Sequence, residues 1–346
     1  MTNIQTVLGP IAPDELGVTS IHEHILNYVD HVAYVPLDSD EGREIGEQPV
    51  SLENLWYVRH NWTSVRDNLR ITDEDVMTRE VARFAQAGGS TIVDPTVDGL
   101  GRDPAGLARV SKATGVNIVM GAGYYIHPAH PEWIEDADEA AIAARIEADV
   151  LDGVDDTGIR SGFIGEIGCS WPLTDRERRV LRAGGRAQKA TGAPLMIHPG
   201  RDPQAPFDIV RELEDVGADI SRTTIAHIDR TLPTSDLAIE LARTGVWLSF
   251  DIFGIETAYY PLEPRSRMLN DGSRLTFIEA LTDAGFGDHV LIGQDICQKH
   301  RLTTYGGHGY DHILRNLRPM LDAVDRTEIA ISVLETNPRR FLSGAA

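Results

Sequence analysis

The chain has 346 residues, 42% of them hydrophobic, and sets 53 acidic against 32 basic side chains for a formal net charge of −21. Its length and apolar content allow one large core, while its acidity repels nucleic-acid phosphates and anionic lipid heads, so no nucleic acid and no membrane is an expected partner. Only two cysteines are present, Cys169 and Cys297, with no Cys-x-x-Cys, which argues against a disulfide framework, a thiolate zinc site or an iron–sulfur cluster.

In chain order, the N-terminal segment shows no basic stretch followed by an apolar run, and no later stretch approaches the ~18 apolar residues that a membrane span needs. A cytoplasmic protein is the expectation. Short apolar runs rich in β-branched residues then alternate with stretches of helical period. Strand 18–22 is followed by helix 75–87, strands 91–95 and 117–121, helix 139–151 and strand 162–166. Helix 175–190, strand 194–198, helix 207–216, strand 223–227, helix 235–243, strand 246–250, helix 274–284 and strand 290–295 complete the pattern. Glycines at 88, 115, 192, 217, 245 and 285 are expected as left-handed helix stops. Strand–helix alternation implies a parallel sheet, and eight such units favour closure. No G-x-G-x-x-G follows the first strand, which removes the dinucleotide-binding alternative. The expected fold is α/β, a (β/α)8 TIM barrel with a short N-terminal β extension, residues 1–346 forming one domain. Stretches 26–71 and 251–272 are long for plain connections and are expected to carry function or helices of their own.

Active sites of such barrels sit at the C-terminal ends of the strands. The first strand ends in His22-Glu23-His24, and residues i and i+2 of a strand share a face, so both imidazoles can point into the barrel mouth while Glu23 points away. The fourth strand ends at Glu166, the fifth at His198, the sixth at His227 and the eighth at Asp295. Singly, each is as well explained by core hydrogen bonding or capping. Together, four histidines and two carboxylates at corresponding strand ends form a nitrogen and oxygen donor set suited to zinc or manganese.

The same residues, in TVLGPIAPDELGVTSIHEHIL, GFIGEIGCSWPLTDRERRVLRA, PLMIHPG, TTIAHIDR, VLIGQDI and TNPRRFL, make the whole chain resemble the phosphotriesterase family of the amidohydrolase superfamily. The stretch GEIGCSWPL is most similar to its phosphotriesterase-related subgroup. The resemblance implies two divalent ions, zinc being favoured with manganese, cobalt or iron as options. His22, His24 and Asp295 would hold the more buried ion, and His198 and His227 the more exposed one. Glu166 and a hydroxide would bridge them. Defining members of the family bridge their metals with a carboxylated lysine. Here Glu166 stands at that place, and Lys112, Lys189 and Lys299 all lie elsewhere.

Two metals ~3.5–4 Å apart lower the pKa of a shared water toward neutrality and supply a hydroxide nucleophile. Asp295 is then the expected proton acceptor. Asp229, two residues after His227, either relays that proton or orients a ligand if the strand continues, or else caps the next helix. Tyr124 and Tyr125 are candidates for substrate contact or for rim packing. Arg201 is a candidate for binding an anionic group on the substrate, or for pairing with Asp202 or Asp229. Arg230, His127 and the loop with Gln298, Tyr305 and His308 are further candidates. The expected activity is hydrolysis of a small amide of the N-acyl amino acid or N-acetyltaurine type, or of a lactone. Phosphoester or phosphotriester hydrolysis and a non-catalytic ligand-binding barrel are the alternatives, and a homodimer is expected by analogy.

Overall fold

The structure, a computed structural model, describes residues 2–344. Eight parallel strands run in chain order around one sheet: β1 (Thr19–Ser20), β2 (Thr91–Asp94), β3 (Asn117–Ala122), β4 (Phe163–Gly168), β5 (Leu195–His198), β6 (Thr223–Ile225), β7 (Trp247–Phe250) and β8 (Val290–Ile292). The ring is closed by backbone bonds between its first and last strands. Ile21 N donates to Ile292 O at 3.1 Å, and Asp295 N to His22 O at 2.9 Å. The expected barrel is therefore the observed fold.

Alternation at period two builds its layers. Val93, Val119 and Met196 point inward, where they meet Ile21, Phe163 and Leu291 in an interior cluster. Their neighbours Ile92, Ile118 and Met120 pack outward under one set of helices, and Leu195 and Ile197 under another. An antiparallel hairpin, Ile4–Thr6 with Gly9–Ile11, is the N-terminal β extension, and Ile4 joins the interior cluster at its closed end.

The outer helices are α1 (Glu74–Gln86), α2 (Pro104–Thr114), α3 (Glu139–Leu151), α4 (Asp175–Thr191), α5 (Ala205–Asp215), α6 (Ser235–Ala242), α7 (Asp271–Asp283) and α8 (Asn337–Ser343). Their starts are chemically marked. Asp73, Asp103 and Asp138 accept from the third helical amide of α1, α2 and α3, and Thr174 with Glu177 forms a capping box on α4. All six predicted glycine stops have positive φ, from 70° at Gly192 to 98° at Gly88. Helices α2 and α8 lie outside the predicted spans, although the Gly115 stop of α2 is among those expected.

Two expectations about strand length are corrected. The sixth strand stops at Ile225, and His227 turns the chain with φ 55° into a short helix, Ile228–Thr231. The eighth stops at Ile292, and Asp295 is likewise left-handed, φ 50°. The 26–71 stretch holds short helices at Asp30–Ala33, Asp40–Gly46 and Leu55–Val58, and pairs Asn27–Tyr28 with Arg70–Ile71. The 251–270 stretch holds no helix or strand among the described residues and folds over the barrel mouth. No helix among the described residues is long and apolar enough to cross a membrane.

Candidate metal centre

The six predicted ligands converge at the C-terminal mouth. His24 Nε2 lies 3.4 Å from Glu166 Oε1 and 3.2 Å from Asp295 Oδ1, and His22 Nε2 lies 3.7 Å from the same Asp295 oxygen. Across the centre, Glu166 Oε2 is 2.9 Å from His198 Nδ1 and 3.4 Å from His227 Nε2. One oxygen of Glu166 thus faces the His24 side and the other faces His198 and His227. The ligand atoms form two compact groups, His22–His24–Asp295 and Glu166–His198–His227.

The packing is that of a cation site. His227 Nε2 and His198 Nδ1 approach to 2.9 Å, and His22 Nε2 has no hydrogen-bond partner although it is fully buried. A buried imidazole nitrogen left without a partner is costly, and a divalent cation between these groups would satisfy it. The donor set is purely nitrogen and oxygen, which fits zinc or a similar divalent ion.

Asp251, one residue past β7, escaped the sequence reading. Its Oδ1 is 2.6 Å from His227 Nδ1 and its Oδ2 is 3.1 Å from His22 Nδ1. Burial would raise its pKa, but the two imidazoles outweigh that and hold the carboxyl well below the usual range. By bonding the far nitrogen of His227 and facing that of His22 across an ion-pair distance, it favours Nε2 of each ring toward the centre. His24 is oriented in the same way by Thr96 Oγ1, 2.8 Å from its Nδ1. Glu23 points away, as expected. It accepts from Ser20 Oγ and from the Gln294 and Ile296 amides, stitching β1 to the loop after β8, and burial pushes its pKa up to about 7.

Asp229 is not on the strand face foreseen for it, because the chain has already turned at His227. Its Oδ2 accepts from the Ile252 amide at 3.0 Å and pairs with the fully buried Arg274 at 2.8 Å. Tyr124 is turned into the core, 3% exposed and edge-on to Trp133, and does not line the cavity at the mouth. Tyr125 does line it, with its hydroxyl 3.2 Å from His198 Nε2.

That cavity encloses about 350 Å³. Val29, Val32, Trp62 and Ile252 give it an apolar wall, and Asp295 and His198 open onto it. Arg201 also lines it, pairing with neither Asp202 nor Asp229. Its Nε donates to Tyr260 Oη at 3.2 Å, and its guanidinium lies 5.4 Å from the centre of that ring. Burial would raise the Tyr260 pKa, but Arg201 and Arg230 overcome this and hold it below the ordinary phenol range. Gln298 and His308 line the same cavity, whereas His127 and Tyr305 do not.

Comparison with known proteins gives a consistent picture. The profile of the Phosphotriesterase family matches residues 2–342. N-acetyltaurine hydrolase of Salmo salar is 40% identical over 343 residues, covering 98% of this chain and 97% of that protein. Among solved structures, a resiniferatoxin-binding protein from Rhodobacter sphaeroides superposes with TM-score 0.95 at 36% identity, covering 99% of this chain and 95% of that one. A lactonase from Listeria monocytogenes gives 0.79 at 26% identity, with 98% of each chain covered.

Proposed function

The chain belongs to the phosphotriesterase family, a family of binuclear metal enzymes, and on that premise we propose that it cleaves the amide bond of a small N-acyl substrate with an anionic end, of the kind N-acetyltaurine exemplifies. It is a metal-dependent hydrolase of the amide and lactone class. The observation that carries the amide reading is end-to-end identity of 40% to N-acetyltaurine hydrolase. Phosphotriester hydrolysis is not favoured, and Glu166 in place of a bridging lysine weighs the same way.

In this reading His22, His24 and Asp295 would hold one ion and His198 and His227 the other, with Glu166 facing both groups. Zinc suits the donor set. Bound there, the ions would polarise the substrate carbonyl and lower the pKa of the attacking water. Asp295, 3.2 Å from His24 Nε2 and open to the cavity, takes the proton released as the water attacks and returns it to the leaving nitrogen. The Tyr125 hydroxyl, beside His198, donates to the carbonyl oxygen as negative charge develops on it. Asp229 supports the centre at one remove, by fixing the Ile252 amide next to Asp251.

The test is metal analysis of purified protein together with hydrolysis of N-acetyltaurine, N-acyl amino acids, lactones and phosphotriesters by wild type and Asp295→Asn. About two zinc ions per chain are expected, with amide turnover that falls roughly 100-fold or more in the variant. Less than one metal per chain after supplementation, or equal turnover by the variant, would overturn the reading.

A further inference from the structure

The cavity carries an electrostatic anomaly for so acidic a chain. Arg59, Arg201, Arg230 and Arg301 line it, against only Glu256 and Asp295 among carboxylates, in a protein of net charge −21. Two of these arginines are already committed. Arg301 donates to the carbonyls of Gln294, Asp295 and Phe253, and Arg59 to that of Gly306. Arg201 and Arg230 are different. Neither forms an ion pair with any carboxylate among the described residues, whereas the buried Arg274 and Arg102 pair with Asp229 and Asp149.

Arg230 is 9% exposed, and through one terminal nitrogen it reaches His198 Nε2 and Pro199 O, both at 3.1 Å. Its other terminal nitrogen, Nη1, is buried with no hydrogen-bond partner among the described residues. Among the described residues Arg201 makes one side-chain hydrogen bond, from its Nε to Tyr260 Oη, so its terminal nitrogens have no acceptor there. A buried guanidinium without a counter-charge is costly and persists where a ligand supplies the missing charge. The planar fork of guanidinium donors matches an oxyanion in two-point fashion.

We propose that Arg201 and Arg230, with the Tyr260 hydroxyl, form a receptor for an oxyanion, sulfonate or carboxylate, at the end of the substrate remote from the scissile carbonyl, and that this receptor selects amides of anionic amines. The receptor begins one imidazole width from the metal centre, since Arg230 touches His198 on the edge opposite the Nδ1 that faces Glu166. A substrate with its carbonyl at Asp295 and Tyr125 therefore needs only a short spacer to reach it. The inference rests on the amide reading above, and the experiment separates the two.

Metal-loaded wild type, Arg201→Gln and Arg230→Gln are compared on N-acetyltaurine, N-acetyl-β-alanine and the neutral N-acetyl-β-alaninamide. Binding of propane-1-sulfonate, which has no bond to cleave, is followed by calorimetry on the same preparations after metal content has been matched. Wild type is expected to prefer the two anionic amides, mainly through KM. Each variant is expected to raise that KM about 10- to 100-fold and to weaken sulfonate binding in parallel, and Arg201→Gln, whose arginine bonds no proposed metal ligand, to change turnover of the neutral amide by less than about 3-fold. Arg201→Lys, which keeps the charge but loses the fork, is expected to recover part of the loss.

Equal kcat/KM for charged and neutral amides in wild type would overturn the receptor. So would an Arg201→Gln variant that loses both substrates alike, or wild type that binds no propane-1-sulfonate. If wild type cleaves no amide yet binds propane-1-sulfonate in an arginine-dependent way, the amide reading fails while the receptor stands.

Discussion

At the scale of single residues, the centre depends on one carboxylate that binds no metal in the proposed scheme. Asp251 bonds the outer nitrogen of His227 and lies 3.1 Å from that of His22, so its two oxygens face two rings at once. In Asp251→Asn one oxygen becomes an NH2 group that faces an imidazole N–H, and that ring must turn. Metal affinity is expected to fall 10- to 100-fold, with kcat falling in step, as metal titration and steady-state kinetics would record. An unchanged affinity would show that the rings are held by packing alone. The rule that located the ligands, a polar residue at a strand's C-terminal end, applies equally to Asp251. It was missed because the seventh strand was read as ending at Phe250 and the next residue was assigned to a long loop. Asp229 failed for a different reason. Hydrophobic period cannot register the positive φ at His227 that ends the face on which Asp229 was placed.

His130 gives a residue-scale prediction about pH. Its Nε2 is 2.7 Å from the Tyr125 carbonyl, and burial pushes its pKa down to about 4, with nearby His127 and Arg176 acting the same way and Glu177 opposing them. The unfolded chain titrates this group near 6.5, so between those values the unfolded state binds more protons. Stability attributable to His130 is therefore full above about pH 6.5 and is lost as pH falls toward 4, by at most about 3 kcal/mol. His130→Gln keeps a donor without the titration. Its melting temperature relative to wild type should rise between pH 7.5 and 5, and a difference independent of pH would refute the assignment.

At the scale of elements, strand and helix order was legible because period two and period 3.6 alternate cleanly and the helix stops are glycines. What could not be read was how closely the strands approach. A Cβ on Gly121 in β3 would run into the Gly165 carbonyl of β4, backbone that cannot swing aside. Gly121→Ala should force β3 from β4 and cost about 1–3 kcal/mol or more, seen as a lower denaturation midpoint with reduced metal retention, since Glu166 follows directly. Connections between elements carry comparable weight. Arg274 in α7 pairs with Asp229 after β6 and with Asp271 at its own helix start, all three buried, and also bonds the Ile255 carbonyl of the 251–270 stretch. Arg274→Met leaves Asp229 without its cation, while Asp271 keeps His312 Nε2 at 2.7 Å, and should destabilise the fold by roughly 3–5 kcal/mol by denaturant titration. Loss of activity without loss of stability would contradict that structural role.

At the scale of the whole molecule, the proposed ligands come from the ends of five different strands, including the two that close the ring. Metal binding and barrel closure are then one equilibrium, because the unfolded chain does not present these groups together. A ligand that binds only the folded state stabilises it by RT ln(1 + [L]/Kd), about 4 kcal/mol at a thousandfold excess over Kd. Chelation followed by dialysis should lower the melting temperature of the entire molecule in one cooperative transition, and added zinc should restore it. The centre also concentrates Glu166, Asp251 and the partly exposed Asp295 at the foot of the cavity, so removal of the ions leaves clustered negative charge facing the imidazoles. Differential scanning calorimetry of the apo and reloaded forms distinguishes the two ways the site can relate to the fold. A single peak that moves with zinc concentration means that the metals hold the barrel shut. A fixed main peak, with only a small early transition responding to zinc, would mean that the mouth opens locally while the barrel stands without them, and it would overturn the coupling argued from the five strand ends.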